Sequence, residues 1–147
     1  INDGNIEFNS NTSNGTGGTG INAISNTGNI EINSGTILSN RTAICIRSGT
    51  VNVNGGTIEG KSMTMEMYGG TLNINEGHII SSELSGYESR ALNSYSSVIN
   101  FYGGIIETID ALRVDTNSIF NHYGGEIIKS STIGNNFIGS GTYNDYR

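Results

Sequence analysis

Proline and tryptophan are absent from the 147 residues, and there is one cysteine. A lone cysteine cannot close a disulfide within the chain, so no covalent staple enters the folding problem. That residue, Cys45, stands in the apolar run Ala43-Ile44-Cys45-Ile46 and reads as a small buried hydrophobe rather than a reactive thiol. Charge is also scarce: 14% of residues are charged, 13 acids against 7 bases give a net charge of −6, and the bases form no cluster. Without a basic patch, binding driven by counterion release has no footprint, and nucleic acid is not an expected partner. No apolar run approaches the roughly 20 residues of a membrane span, so membrane insertion is not expected. The opening Ile1-Asn2-Asp3-Gly4 has neither the charge nor the apolar run of an export signal, which for a secreted parent protein would lie outside this sequence. Apolar residues nowhere keep helical spacing for more than about a turn, so helix is not expected either.

What remains is rich in Asn and in Gly, which number 22 for glycine, with Ile, Val and Leu dispersed among Thr, Ser and Asn. The stretch Gly49-Thr50-Val51-Asn52-Val53-Asn54-Gly55-Gly56-Thr57-Ile58 recurs as Gly28-Asn29-Ile30-Glu31-Ile32-Asn33-Ser34-Gly35-Thr36-Ile37. It returns as Gly70-Thr71-Leu72-Asn73-Ile74-Asn75-Glu76-Gly77-His78-Ile79. Weaker copies read from Gly4, Ser97 and Ser118, so the successive spacings are 24, 21, 21, 27 and 21. A period near 21 with occasional insertions marks a solenoid.

Within each copy the alternation has period two. It groups Ile6, Ile30, Val51, Leu72, Ile99 and Phe120 in one inward column, and Phe8, Ile32, Val53, Ile74, Phe101 and His122 in another. A second strand brings in Ile37, Ile58, Ile79, Ile106 and Ile127. A third is marked by Ala43-Ile44, by residues 63–67, by Ala91-Leu92 and by Ala111-Leu112. Three short strands and three turns fit the period, whereas a crossover helix does not. The expectation is an all-β, right-handed single-stranded parallel β-helix of about six rungs with three strands each, residues 1–147 forming one repeat module. Asn9, Asn33, Asn54 and Asn75 fall at one turn position, where Asn tolerates unusual backbone angles and its amide can bond to the rungs above and below.

The Gly-Thr-Val-Asn-Val-Asn-Gly-Gly-Thr-Ile repeat resembles those of large bacterial surface and adhesin-like proteins of the pectate-lyase-like β-helix superfamily, over residues 4 to about 133. The resemblance implies an extracellular or cell-surface location, often in gut bacteria, and a folding motif rather than a defined ligand. Superfamily members that cleave acidic polysaccharides cluster Asp around Ca²⁺ beside a basic residue. Glu107, Asp110, Arg113 and Asp115 are the nearest counterpart, in one rung, without support expected from the neighbouring rungs.

Other candidates come from the stacking itself. Glu59 and Glu107 share an outward column two rungs apart, with Ile80 between them, at roughly 9 to 10 Å; that is a separation an inverting glycosidase pair can use. Glu7 and Glu31 read as outward neighbours on adjacent rungs, where a Ca²⁺ ion would relieve their repulsion; solvated carboxylates are the plainer reading, and no cofactor is otherwise expected. Tyr102 and Tyr123 replace Asn in the turn column, and the segment 82–89 adds Tyr87, with Tyr95 close behind. These tyrosines are the leading binding surface, for sugars or protein partners. His122 reads as a hydrogen-bonded residue at the end of the core, and His78 as an outward residue with no partner implied. Val98, Ile119 and Ile105 interrupt the threonine columns, which excludes a regular ice-binding face.

Neither terminus reads as a cap, and residues 134–147 look like a partial rung, so the module is expected to be an excerpt of a longer array, with end-to-end self-association as the alternative. Functionally the expectation is a non-enzymatic, extracellular spacer or adhesive module acting on glycans or host-cell-surface proteins. The alternatives are a carbohydrate-binding or polysaccharide-cleaving β-helix and a self-assembling filament subunit.

Overall fold

The computed structural model describes residues 1–8, 19–23, 28–82, 89–130 and 136–147, the side chains of residues 6–8 and 19–23 excepted. Eighteen strands follow one another in these residues. The first level holds β1 (Asn5–Phe8), β2 (Thr19–Ala23) and β3 (Asn29–Ile32). Above it lie β4 (Thr36–Ser39), β5 (Thr42–Ile46) and β6 (Thr50–Val53), then β7 (Thr57–Gly60), β8 (Met63–Met67) and β9 (Thr71–Ile74). The upper levels are β10 (His78–Ser81), β11 (Arg90–Ser94) and β12 (Val98–Phe101); β13 (Ile105–Thr108), β14 (Leu112–Val114) and β15 (Ile119–His122); and β16 (Glu126–Lys129), β17 (Phe137–Ile138) and β18 (Thr142–Asp145). Every third strand pairs in parallel, giving three six-stranded sheets in a parallel β-solenoid of about five turns. Sheet A contains β1, β4, β7, β10, β13 and β16; sheet B contains β2, β5, β8, β11, β14 and β17; sheet C contains β3, β6, β9, β12, β15 and β18.

The register stacks like on like. Ile37, Ile58, Ile79, Ile106 and Ile127 pair in sequence along sheet A. Ile30, Val51, Leu72, Ile99 and Phe120 do the same in sheet C, as do Ile32, Val53, Ile74, Phe101 and His122. In sheet B, Ile44 pairs with Met65 and Met65 with Leu92. These columns meet in one continuous buried cluster. Each fully buried aliphatic or aromatic side chain contributes about 1.5–3 kcal/mol, so the columns rather than exposed contacts carry the stability.

The first level departs from the repeat alignment. The copy beginning at Gly4 belongs to sheet A: Ile6 pairs with Ile37 and Glu7 with Leu38, and Thr36 donates its amide N–H to Gly4 O at 2.9 Å. Alternation alone does not say which of three strands a segment occupies, and Asn5-Ile6-Glu7-Phe8 satisfies sheets A and C equally well. Glu7 therefore pairs with Leu38 in sheet A and is not the rung neighbour of Glu31, which lies in sheet C, so the adjacency on which a Ca²⁺ candidate at this pair rested is absent from the register. The side chain of Glu7, all of Asn9 and all of Tyr87 lie outside the described residues. Asn2 takes the turn position assigned to Asn9, accepting the Asn33 amide at 2.8 Å.

At the far end the partial rung expected over residues 134–147 holds β17 and β18, the second of them a copy of the repeat in sheet C. There Thr142, Tyr143, Asn144 and Asp145 pair with residues 119–122. Cys45 is buried at 4% exposure, but on a different column from the core: it pairs with Glu66, which pairs with Asn93, which pairs with Arg113. It is not among the side chains of the continuous apolar cluster.

Tight turns set how closely the levels approach. Gly56 has φ +84°, and a Cβ there would lie 2.6 Å from the carbonyl oxygen of Gly35 in the rung below. Backbone cannot yield as a flexible side chain would. Gly56→Ala is expected to cost more than the roughly 1–2 kcal/mol of a left-handed alanine alone, read as a lower urea midpoint, whereas Gly4→Ala, with no atom within 4 Å of its added Cβ, is expected to cost only the conformational part.

Candidate functional site

The turn leading out of sheet C carries one column from end to end. Successive residues 33, 54, 75, 102, 123 and 146 each donate their backbone N–H to the chain of the level below at 2.7–2.8 Å, Asn33 to Ile1 O and the others to the end of the preceding strand of sheet C. In the lower half the column is a ladder of amides: Asn54 Nδ2 donates to Asn33 Oδ1 and Asn75 Nδ2 to Asn54 Oδ1, each at 2.7 Å. In the upper half it becomes a ring stack. Tyr102 lies 4.9 Å from Tyr123, and Tyr123 4.9 Å from Tyr146, with planes inclined by only 8° and 10°. The three are 48%, 42% and 58% exposed.

A sugar packs on an aromatic face, but faces stacked along the axis cover one another. Apart from the two end faces, what the column offers outward is ring edges and hydroxyls at rung spacing. Tyr146, absent from the candidates read in the sequence, completes it.

Beside this column runs a second ladder on the outer face of sheet C. Asn73 Nδ2 donates to Asn52 at 2.7 Å, and Asn100, Asn121 and Asn144 continue it at 2.9 Å per step. Its base is Glu31, whose carboxylate accepts from Asn52 at 2.5 Å, Asn54 at 3.0 Å and Asn29 at 3.1 Å. The Asn52 amide, above all, holds the Glu31 carboxyl below its usual range, the other amides assisting. Amide donors thus supply the stabilisation of the Glu31 carboxylate.

A second aromatic cluster, missed in the sequence, lies where sheet B turns into sheet C. Tyr68 and Tyr95 stack at 5.7 Å, with the Arg47 guanidinium 5.2 Å from the Tyr68 ring and that of Arg113 5.4 Å from the Tyr95 ring. The four residues make a closed cation–π sandwich of a kind worth about 0.5–1 kcal/mol per exposed contact. Tyr68 donates its hydroxyl to Glu66 at 2.7 Å, and that bond, with burial second, pushes its pKa up to about 12. Only the rung-to-rung register joins these residues, which are too far apart and too mixed in type to signal it in sequence.

The carboxylates nominated for catalysis do not converge. Arg113 pairs with Asp115 at 2.7 Å. Asp115 also accepts the Thr116 N–H, the largest of the effects that bring its carboxyl down to about 2. Asp110 accepts the Ser89 N–H at 2.9 Å. Glu59 and Glu107 do flank Ile80 in register, as expected, but Glu107 Oε2 lies 3.2 Å from Nε2 of His78, giving that histidine a partner. Among the described residues, no three of His, Cys, Asp and Glu group closely enough to hold a metal ion.

The chain matches no protein-family model, no curated protein and no solved structure. The resemblance to surface β-helix proteins therefore rests on the repeat motif.

Below the tyrosine stack the core itself turns aromatic. His122, 1% exposed, stacks on Phe101 at 5.0 Å, and its Nδ1 is 2.9 Å from the Tyr143 hydroxyl. Burial lowers its pKa, and the positive charge of Arg147 adds to the effect. The unfolded chain then takes up a proton at higher pH than the folded one, so this histidine's contribution to stability is complete above about pH 6.5 and is lost as pH falls through the lowered folded value. Urea unfolding of the native chain is expected to show that loss as the pH is lowered below about 6.5, relative to His122→Phe, which has no such proton to bind.

Proposed function

We propose that the chain is a non-enzymatic, extracellular β-solenoid module, a stiff structural or adhesive segment of a bacterial surface or adhesin-like protein. The observation that carries this reading is the unbroken bracing of level on level. The amide ladder from Asn52 to Asn144 runs beside a continuous apolar core, so bending or shearing one level against the next breaks backbone and side-chain bonds together. Supporting it, the carboxylates of Asp110 and Asp115 are engaged in local hydrogen bonds, and that of Glu107 is in contact with His78. The bacterial surface setting is inferred from the repeat resemblance.

Carbohydrate recognition is the second reading, favoured by the exposed column Tyr102, Tyr123 and Tyr146. Ring edges and hydroxyls at rung spacing suit hydrogen bonding to a saccharide lying along the solenoid axis better than face stacking.

A glycan array probed with and without Ca²⁺, together with assays for new reducing ends on neutral and acidic polysaccharides, tests both. The expected result is no cleavage under any condition, and loss of any glycan retention in the Tyr102→Ala/Tyr123→Ala variant. Cleavage that disappears in Glu59→Gln or Glu107→Gln would overturn the non-enzymatic reading.

A further inference from the structure

The tyrosine column has a chemical property independent of what it binds. Tyr102, Tyr123 and Tyr146 carry the same side chain at the same register position, with ring centroids 4.9 Å apart and planes inclined by 8° and 10°. Equivalent atoms of successive rings are therefore neighbours, the reactive ortho carbons included. The rings are 42–58% exposed, which leaves them room to tilt. Most groups that would otherwise be oxidised first are withheld: the chain has no tryptophan, Cys45 is 4% exposed, Met65 and Met67 are fully buried, and only Met63, half-buried at the start of β8, is in reach of solvent. Burial also raises the Cys45 thiol pKa, which suppresses the thiolate that oxidants attack.

We propose that Tyr102, Tyr123 and Tyr146 form an oxidative crosslinking site, at which a one-electron oxidant of the peroxidase class joins neighbouring rings as dityrosine along the solenoid axis. Each of two adjacent phenols loses one electron and one proton to become a phenoxyl radical. The radicals join through a carbon–carbon bond between ortho positions, and the hydrogen on each joined carbon moves to its oxygen, restoring both phenols. In sum two tyrosines give up two electrons and two protons, which hydrogen peroxide accepts in becoming two molecules of water. Because the partners sit in one chain at fixed spacing, the intramolecular reaction has a high effective concentration and outruns coupling between molecules in dilute solution. The product ties one rung to the next covalently, a function disulfides cannot serve in a chain with one cysteine.

Tyr68 and Tyr95 provide the internal comparison. Their rings are farther apart, at 5.7 Å, and the guanidinium groups of Arg47 and Arg113 lie over them.

The test is treatment of the dilute chain with peroxidase and hydrogen peroxide. Dityrosine fluorescence and mass are read on the monomer fraction, and the crosslinked peptides are then mapped. The expected product is a monomer lighter by two hydrogens per link, with Tyr123 joined to Tyr102 or Tyr146. In Tyr123→Phe the stack is kept but the remaining phenols stand two rungs apart, about 9.4–9.8 Å, and the yield of intramolecular link is expected to fall several-fold at an unchanged urea midpoint. Links found only between molecules, monomer links that omit all three residues, or an undiminished yield in Tyr123→Phe would overturn the proposal.

Discussion

Parallel backbone hydrogen bonding of each strand to the strand three elements later is the interaction on which everything else depends. It holds equivalent positions about 4.8 Å apart, so a choice of residue in one rung is answered directly by the choice in the next. The glycines serve this spacing: at Gly56 the chain passes too close to Gly35 for any side chain to intervene. Once the spacing is imposed, identical side chains fall into contact whether they lie inside or outside, and the sequence has to make that contact favourable in every column.

It does so in chemically distinct ways. Inside, aliphatic columns give way toward the C-terminal levels to Phe101, Phe120, His122, Phe137 and Tyr143, a change from branched chains to packed rings. Outside, asparagine suits a column because it both donates and accepts, so each amide satisfies the next without charge. Carboxylates cannot do this, and the acids are accordingly separated. Glu31 sits at the base of an amide ladder that feeds it hydrogen bonds, and Glu59 is kept from Glu107 by Ile80. Tyrosine replaces hydrogen bonding with ring stacking, worth about 0.5–1.5 kcal/mol per pair beyond area. The exposed columns offer neutral, repetitive chemistry along one axis, the property that links a structural role to an adhesive one.

Much of this was legible in the sequence. The inward columns of sheets A and C follow from period-two alternation repeated at a fixed interval, sheet B being marked only by short apolar runs, and the register found for Ile37, Ile58, Ile79, Ile106 and Ile127 is the one the repeat implies. The errors fall where alternation is ambiguous or disguised. Residues 5–8 alternate well enough for either of two sheets, and only the backbone bond from Thr36 to Gly4 decides between them. The last copy hides because its inward positions are Tyr143 and Asp145, neither of them aliphatic. Tyr102 and Tyr123 were readable as a column because they share a repeat position, while Tyr146 depends on that final copy. The sandwich of Arg47, Tyr68, Tyr95 and Arg113 combines unlike residues from four levels, and His78 meets Glu107 from the neighbouring column and rung; neither pattern leaves a periodic trace.

If level-on-level stacking is the governing constraint, the chain should tolerate loss of a whole level far better than loss of part of one. Excision of residues 50–70 removes one period of 21 and rejoins Gly49 to Thr71, an equivalent junction to the native Gly49-Thr50. Urea unfolding followed by circular dichroism is the measurement. The shortened chain is expected to unfold cooperatively from a β-rich state with a modestly lowered midpoint, and a chain lacking residues 50–59 to be unfolded without denaturant. An unfolded whole-level deletion, or a part-level deletion as stable as the native chain, would contradict this constraint.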